Sequence, residues 1–154
     1  MPVIVIGADT PIGEAVVQAV VPSAAEARAF ISDERFAGGL RALGVKVALG
    51  DVSDISHVEA AALNCFCAVL MVEAAADGRE RAFATNHRDV MEGWASAIRG
   101  AGVQRAIWVS GVDPAIRFPF SVPETATVLV GTDIAAAARE VAALEGASTL
   151  PGSP

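Results

Sequence analysis

Gly7 and Gly13 bracket the segment of this chain whose residue types and spacing suit chemistry. Residues 3–13 read Val-Ile-Val-Ile-Gly-Ala-Asp-Thr-Pro-Ile-Gly. An apolar strand, a tight turn and the start of a helix follow one another. The two glycines stand at the first and last positions of a G-x-x-G-x-x-G turn. Such a turn aims backbone N–H groups and the positive end of a helix at one point, which suits a pyrophosphate. Thr10 replaces the middle glycine, and Asp9 lies beside it. Thr10 narrows the gap through which backbone meets phosphate, although its hydroxyl is able to donate a hydrogen bond. Asp9 repels a phosphate and competes for the same donors. Both residues also make good helix caps. Two readings therefore stand: a dinucleotide turn that still binds, and a turn whose own side chains fill the anion's place.

Other reactive groups are sparse. Cys65 and Cys67 are the only cysteines, and His57 and His87 the only histidines. Two residues apart on a strand, the cysteines share a face and are poorly placed to bridge. With so few further ligands no metal site is expected, and the thiols read as buried and free. The net charge is −7, Lys46 is the only lysine and the arginines are scattered, so the clustered cations of a nucleic-acid surface are absent. No apolar run reaches the length of a membrane span. The N-terminus carries no basic leader and reads as a strand, so a cytoplasmic location is expected.

The elements that position these residues alternate from end to end. Val3–Ile6 is a short, wholly apolar strand of the kind buried on both faces. Ile12, Val16, Val17 and Val20 form one stripe of a helix to about Val21, with Thr10 as cap and Pro11 in its first position. Further strands are expected near Arg28–Ile31, Lys46–Leu49, Cys67–Val72, Arg105–Val109 and Thr127–Val130. Helices are expected near Glu34–Leu43, from Asp54 or Ser56 to Leu63, over Glu80–Gly100, and from Asp133 to Leu144. Residues 111–125, with Pro114, Phe118, Pro119, Phe120 and Pro123, read as a loop. The pattern predicts one α/β domain over residues 1–145: a Rossmann-like, doubly wound parallel sheet of about six strands with helices on both faces. The expected strand order is 3-2-1-4-5-6, which puts ligands at the carboxyl ends of strands 1 and 4. Residues 146–154 read as a flexible tail. A mean hydropathy of +0.49 excludes disorder throughout.

Several runs carry a family resemblance: Gly7 and Gly13, ALGVKVALGDVSD (42–54), Asn86, AGVQRAIWVSG (101–111) and GTDIAAAAREVAALEGA (131–147). In register with one another, these resemble the atypical short-chain dehydrogenases of the NmrA-like or NAD-dependent epimerase/dehydratase type, in a shortened form. The match runs from residue 3 to about 111 and includes the late helix.

The resemblance implies a dinucleotide site. Gly7, Ala8, Thr10, Pro11, Ile12 and Gly13 would border the pyrophosphate. The end of strand 2 would select the cofactor, because a carboxylate there binds ribose hydroxyls and an arginine accepts a 2′-phosphate. The run is Ser32-Asp33-Glu34-Arg35; Asp33 favours NAD, Arg35 keeps NADP open, and a solvated loop capping the next helix is the alternative. Asp51 would bond the adenine amine with Val52 beside the ring; capping of the next helix is the rival role. Ala74 and Ala75 would line the ribose and nicotinamide side. Asn86, placed within the long helix, would bond backbone near the active centre; a polar residue on a partly exposed helix is the alternative.

Most of this superfamily passes a proton through a tyrosine paired with a lysine four residues later. This chain has no tyrosine, and Lys46 belongs to a strand. Ser110 is a weak catalytic candidate at the end of strand 5, matching the first of a family serine pair whose hydroxyl more often comes near Val112. His87 and Asp113 are further polar candidates. The resemblance implies that the family's C-terminal substrate region would be missing, so a pocket would come from residues 111–125 or from a second subunit in a homodimer; Phe118 and Phe120 would serve as lid or contact patch, with buried loop packing as the alternative. Three functions follow: an NAD(P)-dependent oxidoreductase without the tyrosine acid, acting on an unidentified small molecule; a non-catalytic dinucleotide-sensing module; and a degenerate protein with an empty site.

Overall fold

The computed structural model describes residues 2–111 and 122–150. Six strands form a single sheet: β1 (Pro2–Ile6), β2 (Glu26–Ile31), β3 (Lys46–Leu49), β4 (Cys67–Met71), β5 (Arg105–Ser110) and β6 (Glu124–Leu129). All neighbours are parallel and the order is β3-β2-β1-β4-β5-β6, as the alternation predicts. The helices are α1 (Pro11–Val20), α2 (Ala37–Ala42), α3 (Ile55–Ala62), α4 (Val72–Ala76), α5 (His87–Gly100) and α6 (Ile134–Gly146). The fold is Rossmann-like, with helices covering both faces.

The central strands explain that covering. Val3–Ile6 and Cys67–Met71 are completely buried, which requires apolar partners above and below the sheet. α1 packs on α6, and α3 packs on α5. Trp94 of α5 is fully buried, and its indole N–H donates to the Val52 carbonyl at 2.8 Å. That bond satisfies the one polar atom of a large apolar side chain. Caps sit where the residue types suggest. Asp54, Asn86 and Asp133 accept the N–H groups of His57, Asp89 and Ala136 at the starts of α3, α5 and α6.

Two local expectations need correction. The helix expected over Glu80–Gly100 begins only at His87, so Asn86 is its cap rather than an interior residue. Residues 77–86 instead form a loop whose N–H groups are taken by distant side chains, a competition that periodicity does not show. The segment 111–125 is not wholly a loop, because β6 starts at Glu124 opposite Arg105. Beyond α6, Leu150 is buried; the Arg105 guanidinium collects carbonyls from Leu144 to Ala147, and residues 151–154 lie outside the described residues. Val112, Asp113, Phe118 and Phe120 lie outside the described residues.

Cys67 opens β4 and Cys65 precedes it; both are free and buried. Burial pushes both thiols upward, so neither forms a thiolate at neutral pH. The folded chain is therefore expected to resist a disulfide reagent such as DTNB and to release two thiols on unfolding. Rapid labelling of the folded state would contradict that burial.

Candidate functional site

The turn after β1 is built for close approach. Gly7 has φ +87°, in the region that favours glycine, and a Cβ there would strike the side chains of Ala74 and Met71. Its N–H donates to the Phe30 carbonyl at 2.9 Å, which continues the β1–β2 ladder. Thr10 caps α1: its Oγ1 accepts the Gly13 N–H at 3.0 Å and donates to the Gly7 carbonyl at 2.9 Å. The hydroxyl proton is thus used inside the turn and is not aimed at a phosphate. A Cβ on Gly13 would press on the Gly7 carbonyl and lie 2.7 Å from Thr10 Oγ1 and 2.9 Å from Ala8 Cα. Pro11, exposed at the first helical position, has no N–H to satisfy. The Ile12 N–H belongs to the first turn, which a helix leaves without an internal partner.

Asp9 does not cap α1. Its side chain, 1% exposed, turns toward the end of β2. There Oδ2 accepts the N–H groups of Ser32 at 2.9 Å and Asp33 at 3.0 Å. Oδ1 pairs with Arg79 Nη1 at 2.8 Å. Arg79 also grips Asp77 through Nε and Nη2, each at 2.8 Å. Burial alone would lower the Arg79 pKa, but the bonds to Asp77 and Asp9 outweigh it and raise it. Burial likewise works to raise the Asp77 carboxyl, and bonding from Arg79 takes it below the usual range.

Asp51 belongs to the same lattice. Its Oδ1 accepts from Ser53 N–H at 2.8 Å and Ser53 Oγ at 2.6 Å, and its Oδ2 accepts the Ala82 N–H at 2.7 Å. These bonds overcome the upward push of burial and hold the carboxyl low. The Phe83 N–H donates to Ser53 Oγ at 3.0 Å. Arg81 ties the loop to its own base, reaching the Ala74 carbonyl at 2.8 Å and Asp77 Oδ1 at 3.0 Å. Loop 77–86 is therefore strapped to the ends of β1, β2 and β3. Asp33 pairs with the exposed Arg35 and caps the turn Glu34–Phe36.

Two cavities flank the first turn. One, of about 840 Å³, is lined by Asp9, Ser32, Asp33, Leu49, Gly50 and Asp51 together with Asp77–Glu80 of the loop. The other, of about 400 Å³, is lined by Ile12, Val72, Glu73, Ala76, Val109, Ser110, Gly111 and Val130. A third, of about 360 Å³, holds Ala75, Asn86 and His87 with Arg81. All three volumes fall within or near the range of ligand pockets. The structure thus brings Asp9, Ser32, Asp33 and Asp51 together, and places Ile12 and Ser110 in the second cavity. Ala8, Val52 and Ala74 are completely buried and border none of these cavities. Among the described residues no cluster of side chains suits a metal ion. No described helix is long and apolar enough to cross a membrane.

Sequence reasoning missed Arg79, Arg81, Asp77 and Glu73. The alternation Asp77-Gly-Arg79-Glu-Arg81 was the available signal, since a buried Asp9 demands a cation.

A family model described as NAD(P)H-binding matches residues 7–150. The chain belongs to that family. None of the curated proteins matches it in sequence. Among solved structures, ChuY, an anaerobillin reductase from Escherichia coli O157:H7, is similar at 15% identity and a TM-score of 0.69, over 97% of this chain and 92% of that one. The quinone oxidoreductase QOR2 of Escherichia coli, solved with NADPH, is similar at 17% identity and a TM-score of 0.59, over 70% of this chain. The triphenylmethane reductase of Citrobacter sp., solved with NADP(H), is similar at 19% identity and a TM-score of 0.59, over 71% of this chain. The match spans only 36% of the quinone oxidoreductase and 37% of the triphenylmethane reductase.

Proposed function

We propose that this member of the NAD(P)H-binding family holds NAD(H) across its first turn, in preference to NADP(H), and serves as an oxidoreductase without a protein tyrosine acid. The observation that carries the proposal is the pair of cavities on either side of the Gly7–Gly13 turn. The larger lies at the carboxyl ends of β1, β2 and β3, where an adenosine half belongs in this topology. The smaller reaches the start of α1 and the ends of β4, β5 and β6 and suits a nicotinamide half. The turn between them has the close backbone that a side chain on Gly13 would fill.

The larger cavity is acidic. Among the described residues, Asp9, Asp33, Glu34, Asp51, Asp77 and Glu80 line it against the single cation Arg79. That balance favours a neutral ribose diol over a phosphate. Around the smaller cavity, Ile12, Val109 and Val130 present apolar surface, with Ser110 and Glu73 as its polar groups. The nicotinamide supplies or accepts a hydride when bound. With no tyrosine in the chain, the accompanying proton is exchanged with solvent.

A second reading, a dinucleotide-sensing module without turnover, is favoured by the strap. A ligand in the larger cavity would compete with loop 77–86 for Asp9 and Asp51 and so alter the surface around Phe83, which is 69% exposed. Oxidation of NADH against a panel of quinones, flavins and small carbonyls separates the two. Turnover supports the oxidoreductase, whereas binding without turnover across the panel supports the module.

A further inference from the structure

The donors around Asp9 form an anion site that already contains an anion. Two consecutive backbone N–H groups, from Ser32 and Asp33, converge on one carboxylate oxygen, and the Arg79 guanidinium meets the other. Arg79 Nη1 also comes within 3.5 Å of Ser32 Oγ. Backbone amides plus a guanidinium are the donor set that a phosphate monoester requires. They sit at the end of β2, where an adenosine ribose presents its 2′ position. The carboxylate that fills the set is buried and delivered by the first turn, not by β2 itself.

We infer that the Asp9 carboxylate occupies the place of a dinucleotide 2′-phosphate and is the residue that selects NADH over NADPH. This rests on the reading that the larger cavity takes the adenosine ribose. An ionised carboxylate has about four acceptor sites, and the three bonds shown leave one. A 2′-hydroxyl has a proton to donate to it. A 2′-phosphate brings like charge and competes for donors already in use. Asp33, the carboxylate expected from the sequence to choose the cofactor, is instead committed to Arg35.

The test is a pair of titrations, NADH and NADPH, on the full chain and on Asp9→Ser and Asp9→Asn. The wild type is expected to favour NADH by about tenfold or more, the cost of opposing like charges. Removing the carboxylate is expected to shift the ratio toward NADPH by a similar factor. Adding Arg79→Ala to Asp9→Ser is expected to cancel the gain. NADH affinity is expected to fall in the Asp9 variants, which lose the acceptor for the 2′-hydroxyl, so a far-UV circular dichroism spectrum like the wild type's and a cooperative melt are the check that the fold is kept. Wild-type protein that binds both nucleotides equally, or prefers NADPH, overturns the inference and leaves the dinucleotide site standing. So does an unchanged ratio in both Asp9 variants. If the wild type binds neither nucleotide, the reading of the cavity fails and the inference falls with it.

Discussion

Arg105→Ala is expected to lower stability by about 3–5 kcal/mol, the usual range when one partner of a buried ion pair is removed. For a chain of this length that corresponds to a fall in Tm on the order of 10 °C. Arg105 is completely buried at the start of β5. Nε and Nη2 both reach Glu124 Oε2, at 2.8 Å and 2.6 Å, which fixes the register of β6. Nη1 donates to the carbonyls of Leu144, Glu145 and Ala147 at the end of α6, at 2.9, 3.0 and 2.6 Å. These are the orphan acceptors that a helix terminus leaves behind. One guanidinium thus joins an edge strand, the last helix and the segment that follows, while stacking over the Phe66 ring at 5.0 Å. Arg105→Lys should recover only part of the loss, since a single ammonium does not match the planar fork. Thermal melts of the two variants are the check. A loss below about 1 kcal/mol, the size of one ordinary hydrogen bond, would show that the α6 terminus is held by something else.

Gly13→Ala is expected to reverse the ordinary sign of a glycine-to-alanine change inside a helix. At an open helical position alanine gains about 0.5–1 kcal/mol. Gly39 in α2 provides that control, because a Cβ there meets nothing within 4 Å. At Gly13 the new methyl would strike the Gly7 carbonyl and crowd Thr10 Oγ1. Overpacking of this kind costs about 1–3 kcal/mol, so a net loss is expected. The turn can relieve the clash only by opening, which breaks the Thr10 cap and spoils the backbone surface between the two cavities. NADH affinity should therefore fall by about tenfold or more, since a bond-scale loss of about 1.4 kcal/mol already gives that factor. Equal melting temperatures and equal affinities for Gly13→Ala and Gly39→Ala would refute the close-approach role.

The strands and their order were legible because their signals are local. The apolar runs at 3–6 and 67–71 needed no partner to be read as buried strands. Gly44 and Gly102, at φ +85° and +83°, lie at helix ends where glycine stops are expected. Thr10 and Asp133 announced helix starts through their types alone, and Asp54 did so with Ser56 as a rival. The site was less legible because its bonds span the chain. Asp9 finds Arg79 seventy residues later, and Asp51 finds Ala82 thirty-one residues later. No window around either residue contains its partner. The same distance effect turned the start of an expected helix at Glu80 into a strap. It also hid the Asp9 carboxylate at the end of β2, where the family resemblance pointed to Asp33.

The dinucleotide site is tested most directly by titrating the full chain with NADH while following tryptophan emission and sensitised nicotinamide fluorescence. Trp94 and Trp108 lie in the domain that would hold the ligand. A saturable change with NADH is expected, weaker with NADPH and much weakened by Gly13→Ala. No saturable change with either nucleotide up to millimolar concentration would contradict the account. In that case the Gly7–Gly13 turn is a capped structural corner whose anion site belongs permanently to Asp9.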